Sequence, residues 1–202
     1  MNYKTYTETT FNIPTLSGIS LKTIEEHLKL YAGYVKHANL ILQKIAELSA
    51  TPESATANTY TIGELRRRLG FEFGGARNHE YYFHQFEGGS VATDTTSKLY
   101  AQIVQQWGSY EAWFTEFKQL AMTRGIGWAF VYQDTATGNL LNTWIDEQHI
   151  GHLTGLTPIL ALDMWEHSYM LDVPPSEKKN YIEAFFNNLN WSVVEKRFVT
   201  LA

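Results

Sequence analysis

The chain has 202 residues, enough for one large domain or two small ones sharing a core. Its net charge of -5 argues against binding a phosphate backbone, and the only basic cluster, Arg66-Arg67-Arg68, reads as a solvated helix face. Cysteine is absent, which excludes disulfides, thiolate zinc sites and cysteine nucleophiles, so any metal must be held by His, Asp or Glu.

Residues 1–18 read as an extended arm ending in Leu16-Ser17-Gly18. The arm lacks an apolar core behind a basic start, so it is not expected to be a secretory signal. No apolar run approaches the length of a membrane span, and the expected location is the cytoplasm, with neither membrane nor nucleic acid as a partner. Ser20 is the N-cap of a predicted helix, with Glu25 and Glu26 placed in its first turn. Apolar residues at Ile24, Leu28, Tyr31, Val35, Ala38 and Ile41 carry that helix to about Leu48. Ser49 to Asn58 reads as a small-residue loop containing Pro. A second helix covers roughly Thr61 to Phe86, with a candidate interruption at Gly74-Gly75, and "EGGS" ends it.

Further on, Ser97 starts a helix to about Gln105, and Ser109 caps another over Tyr110 to Thr123. Trp128 to Tyr132 and Leu140 to Trp144 form two strands around the polar turn Asp134 to Asn139, and a third strand, Ile159 to Leu162, delivers Asp163. Helices over Ser176 to Asn188 and Ser192 to Phe198 close the chain. The fold class is α+β: an N-terminal helical hairpin domain over 1–90, then a C-terminal α/β domain over 91–202 with a small antiparallel sheet.

The stretch "LALDMWEH" runs a carboxylate and an imidazole out of an apolar strand. If the chain turns helical at Asp163, His167 projects to the same face, a pairing that suits a metal as well as a capping Asp beside a hydrogen-bonded His. His27 lies in line with Tyr31 on the first helix, and His79 lies in "GGARNHEYYF"; alone, each reads equally as a satisfied core histidine. Together the four form a three-His, one-carboxylate set that suits redox iron or manganese better than structural zinc. His37 and His84 read as surface or supporting residues, and His149 and His152 are left over.

These motifs resemble the iron/manganese superoxide dismutase family almost end to end. The likeness runs through "LSGIS", the His27 helix, "ARNHEYY", "GIGWAF", "DMWEHSYMLD" and "YIEAFFNNLNW", and D-x-W-E-H-x-Y is a highly specific signature. The resemblance implies a helical hairpin followed by an α/β domain with a three-stranded antiparallel sheet. It implies that His27, His79, Asp163 and His167 hold one manganese or iron ion per chain, with solvent as a fifth ligand, and that superoxide becomes dioxygen and hydrogen peroxide. It implies a homodimer, or a tetramer of two such dimers, in which Glu166 pairs with the partner's His167. Trp128 and Trp165 would wall the site, and Tyr34 would be the gate of a proton relay.

Three departures from the family pattern matter. Tyr34 stands one residue closer to the first ligand than is common, as though a π-type bulge were lost, and the position between them is Tyr31 instead of His, making Tyr31 the alternative gate. Met170 replaces the Tyr that usually partners that missing His across the dimer. Finally, Gly75 occupies the place where iron-type members carry the Gln that holds the bound solvent. Manganese-type members send that group from the sheet, where Gln148 and His149 are the candidates and spacing favours Gln148. This points to manganese or dual metal use. A carboxylate-bridged di-metal protein would need an E-x-x-H repeat, which is absent. A non-catalytic relative that keeps the fold as a metal-binding module is the alternative reading, motivated by the changed Tyr31 and Met170.

Overall fold

Ser20 caps the first helix as its position predicts: its side chain accepts from the Thr23 N–H at the start of α1 (Leu21–Leu48). The computed structural model describes residues 3–199; Met1, Asn2 and the last three residues of the expected C-terminal domain lie outside the described residues. α1 runs as an uninterrupted α-helix, consistent with a lost bulge, and buries Ile24, His27, Tyr31, Val35, Ala38 and Ile41 along one stripe. Glu25 and Glu26 were expected in its first turn, but that turn carries no acid; Glu26 lies one turn further in and pairs instead with Lys22 and Lys29.

The expected loop after α1 contains a short helix, α2 (Pro52–Ala57). Its signals are local: Thr51 accepts from the Ser54 N–H, and Pro52 occupies the first turn, where its missing N–H costs nothing. α3 (Thr59–His84) then returns against α1 and passes straight through Gly74-Gly75 without the expected interruption. The glycines are there for close approach. A Cβ on Gly74 would lie 2.2 Å from the Gln148 carbonyl oxygen, and one on Gly75 would lie 2.5 Å from the Tyr34 ring.

The second half begins with α4 (Lys98–Trp107) and α5 (Tyr110–Ala121), capped by Ser97 and Ser109. Three antiparallel strands follow, β1 (Gly127–Gln133), β2 (Leu140–Asp146) and β3 (Thr157–Asp163), in the order β2-β1-β3. β1 is central and buried throughout, and its register sets Trp128 beside Asp163. α6 (Lys178–Asn188) and α7 (Trp191–Arg197) cover the aromatic core.

Asp163 does not begin an α-helix. It ends β3; the chain then turns through a 3-10 helix at Glu166–Ser168. The Asp163 carboxylate takes the Trp165 N–H at 2.8 Å, and Ser168 Oγ donates to the Asp163 carbonyl at 3.0 Å, so the turn that carries His167 is built around Asp163 itself. A polar staple ties β3 to the hairpin. Gln85 exchanges two hydrogen bonds with the Ala161 backbone, at 2.7 and 2.9 Å, and the half-buried Arg197 guanidinium donates to Ile159 O and Tyr81 O.

Two glycines of α3 should respond oppositely to alanine. Gly74→Ala should cost about 1–3 kcal/mol, because the neighbour it meets is backbone and cannot move aside. Gly63→Ala meets nothing within 4 Å and should gain up to about 1 kcal/mol of helix propensity. Urea unfolding of both variants checks the pair of signs.

Candidate metal centre

The hairpin and the sheet bring four side chains to one point. His27 Nε2 lies 3.1 Å from Asp163 Oδ2, His167 Nε2 lies 3.2 Å from it and His79 Nε2 3.7 Å. One donor atom from each residue lies within 4.8 Å of every other, and this is the only such group among the described residues. His27, His79 and Asp163 are fully buried, and the His167 side chain is 20% exposed.

The donor set fits a metal ion. Two ligands each about 2.1 Å from a shared ion sit about 3.0 Å apart at a right angle and about 3.6 Å apart at 120°. The His27 and His167 spacings around Asp163 Oδ2 fall in that range, and the 3.7 Å of His79 lies at its upper edge. Hydrogen bonding leaves the lone pairs where a metal would need them. His79 Nδ1–H donates to Gly75 O at 2.6 Å, so its Nε2 is bare, and that buried nitrogen has no hydrogen-bond partner. A neutral imidazole trio around an anionic carboxylate is a borderline-to-hard donor set of the kind iron and manganese take.

The electrostatics keep Asp163, His79 and His27 in their ligand forms. Burial would push the Asp163 carboxyl up, but the charges and hydrogen bonds of His167 and His27 outweigh it and hold the group below the usual carboxylate range. Burial first, then the neighbouring His27, pushes the His79 imidazole down to about 3, against the pull of Asp163. Burial also lowers His27, again opposed by Asp163.

Around the four donors stands an aromatic wall. Trp128 lies 5.0 Å from the His79 ring, Trp165 stacks on His167 at 5.6 Å, and Tyr82 and Phe83 cover His27. Behind the wall runs a chain of hydrogen bonds. Trp128 Nε1–H donates to Gln148 Oε1 at 3.0 Å, and Gln148 Nε2–H donates to Tyr34 Oη at 3.0 Å. The Tyr34 ring lies 5.1 Å from that of His79. Burial, with Asp163 and Glu72 adding to it, raises the Tyr34 hydroxyl well above its ordinary value, so it keeps its proton.

Of the paired sequence candidates, one member of each reaches the site. Gln148 is fully buried within it, whereas His149 turns onto α3, against Gly70 and edge-on to Phe71 at 5.8 Å. Tyr34 faces the cluster, whereas the Tyr31 hydroxyl turns away to accept from the Thr9 N–H and donate to Glu80. Glu166 is exposed beside His167, and Met170 is exposed. His37 is exposed and His84 pairs with Glu87 at 2.6 Å, as surface residues do. The sequence reading missed Asn78, which donates to Gln148 O at 3.0 Å, and His152, which bonds both Tyr132 and Gln148 O. Asn78 had a signal in standing next to a ligand; His152 had none.

The depressed His79 and His27 values make a pH prediction for metal-free protein. The unfolded chain binds their protons near pH 6.5 and the fold does not, so stability is full above 6.5 and falls with pH below it. Between pH 6.5 and 5 His79 alone should remove about 2 kcal/mol, with His27 acting in the same direction. Denaturant unfolding of the metal-free protein at the two values measures it.

Comparison with known proteins agrees with this geometry. The family model described as iron/manganese superoxide dismutases, C-terminal domain, matches residues 95–197. A superoxide dismutase [Fe] of Aquifex pyrophilus is 34% identical over 185 residues, covering 91% of this chain and 85% of its own. A superoxide dismutase [Fe] of Cupriavidus metallidurans is 35% identical over 187 residues, covering 91% and 90%. A superoxide dismutase [Mn] of Mycolicibacterium paratuberculosis is 33% identical over 175 residues, covering 85% and 80%.

Proposed function

The chain belongs to the iron/manganese superoxide dismutase family, and from that premise we propose how its residues divide the work of turning superoxide into dioxygen and hydrogen peroxide. Two superoxide anions and two protons give one molecule of each product, so one electron must be stored between the two half-reactions and both protons delivered in the second. Bound iron or manganese supplies the one-electron chemistry, oxidising one superoxide and reducing the next. The observation that carries the reading is the convergence of three imidazole nitrogens on one oxygen of Asp163.

His27, His79, Asp163 and His167 would hold the ion, with the single negative charge of Asp163 offsetting part of its charge. Tyr34 holds a proton at Oη beside the cluster, and Gln148 fixes that hydroxyl by donating to it. Gln148 also ties the hydroxyl to Trp128 in β1, so proton donor and ligand wall keep one geometry. Trp128 and Trp165 exclude water from the ligand faces. With Tyr31 committed to Thr9 and Glu80, the gate role falls to Tyr34, which keeps its hydrogen-bonded chain and favours the catalytic over the non-catalytic reading.

The finer features belong to the same proposal. Manganese or dual metal use is supported by the entry of Gln148 from the β2–β3 connection and by Gly75, which has no room for a side chain under Tyr34. A homodimer is supported by exposed Glu166 beside the open edge of His167 and by exposed Met170 and Leu171 next to them. Division near residue 90 into a hairpin domain and an α/β domain, and a cytoplasmic location, complete it.

Replacing His27 or Asp163 by Ala should abolish tight metal retention, with elemental analysis reading well under a tenth of the wild-type content; wild-type content in either variant would refute the ligand assignment. Apo-protein reconstituted separately with manganese and iron, assayed for dismutation per bound ion, tests the metal preference. Turnover with manganese alone or with both metals supports it, and turnover with iron alone overturns it.

A further inference from the structure

Gln148 comes from a connection without regular strand or helix, so something beyond the metal centre must fix it. The residue before it, Glu147, has φ 51°, a left-handed conformation that a non-glycine residue holds only where its surroundings over-determine it. Those surroundings are present. The Glu147 N–H donates to Ile126 O at 3.0 Å, and its carbonyl accepts from Trp165 Nε1 at 3.1 Å.

The Gln148 carbonyl is held from two sides. Asn78 Nδ2 donates to it at 3.0 Å, and His152 Nε2 approaches it at 3.3 Å. A carbonyl oxygen can only accept, so the proton of His152 sits on Nε2. Nδ1 is then an acceptor, and the hydroxyl of Tyr132 meets it. Tyr132 is buried in β1, and Phe130 packs edge-on to the His152 ring at 5.5 Å. Burial lowers the His152 imidazole and so favours its neutral form, in which one nitrogen donates and the other accepts. The sequence Tyr132, His152, Gln148 backbone, Gln148 amide therefore runs from a rigid central strand to the Tyr34 hydroxyl.

We propose that His152, clamped by Tyr132, is a positioning residue for Gln148, holding its backbone so that its amide spans Trp128 and Tyr34. This rests on the role proposed above for Gln148. It extends the machinery by two residues, neither of which touches the metal donors.

The test reads position and turnover separately. His152→Phe keeps a ring against Phe130 and loses both nitrogens, Tyr132→Phe loses only the hydroxyl, and His152→Gln keeps an N–H able to donate. In each metal-free protein the hydrogen-exchange rate of the Trp128 indole N–H, which donates to Gln148 Oε1, is compared with that of the β1 backbone amides. In each metal-loaded protein, turnover is measured per bound iron or manganese. Both Phe variants should speed Trp128 exchange and cut turnover about tenfold with β1 amides unchanged, and His152→Gln should recover much of each. Unchanged Trp128 exchange, acceleration shared by the β1 amides, or an equal loss in His152→Gln would overturn the proposal. Should His152→Phe fail to fold, Tyr132→Phe decides by the same criteria. Gln148→Ala separates the two claims: full turnover per bound ion in that variant would sink the role given to Gln148 while the exchange data still judge the clamp.

Discussion

One carboxylate oxygen organises this molecule. Asp163 Oδ2 faces Nε2 of three histidines, two from the helical hairpin and one from its own turn. Taking a carboxylate out of water is expensive, and a buried one is tolerated only when paired and hydrogen-bonded or when it coordinates a metal. The two hairpin imidazoles are themselves held toward the neutral form by burial. His79 cannot offer a proton from Nε2 while its Nδ1–H is given to Gly75. His27 and His167 can each donate to the carboxylate, but His79 brings a bare lone pair to the same point, an arrangement that a cation completes.

Much of the surrounding structure serves to hold that convergence in place. The Gln85 and Arg197 bonds lock β3, and with it Asp163, against the helix that carries His79. Gly74 and Gly75 let the Gln148 carbonyl and the Tyr34 ring press onto the same helix. The aromatic walls bury His27, His79 and Asp163 completely, which strengthens the electrostatic interactions among them. Because ligands come from both halves of the chain, metal binding stabilises the docking of hairpin on sheet.

Where local chemistry decided structure, the sequence was legible. Ser20, Ser97 and Ser109 each cap the helix they announce, and apolar and aromatic runs with a polar turn between them locate the three strands. The Asp163–His167 pair alone read equally as a cap beside a hydrogen-bonded histidine; the ligands became legible when His27 and His79 completed a three-His, one-carboxylate set and the motifs around all four resembled one family. What could not be read depended on contacts distant in sequence. Gly74-Gly75 looks like a helix break in one dimension and is a docking groove in three. Gln148 and His149 are neighbours in a connection whose direction is set by the left-handed Glu147, and no periodicity tells which faces inward. The D-x-x-x-H spacing suggested a helical turn, but a 3-10 turn after an extended Trp165 satisfies it equally. The helix at Pro52 was a different kind of miss, since Thr51 and Pro52 carried its signals and the small residues around them hid it.

The central claim is that one ion at Asp163 joins the two halves of the fold. The most direct measurement is thermal unfolding of metal-free protein against increasing manganese or iron, with bound metal counted in the same samples. A site that exists only in the folded chain should raise the Tm of a single cooperative transition and stop acquiring tightly held metal at one ion per chain; stabilisation at 100 times Kd is about 2.7 kcal/mol. Stoichiometric binding that leaves the Tm unchanged, or that moves only one of two separate transitions, would contradict the account.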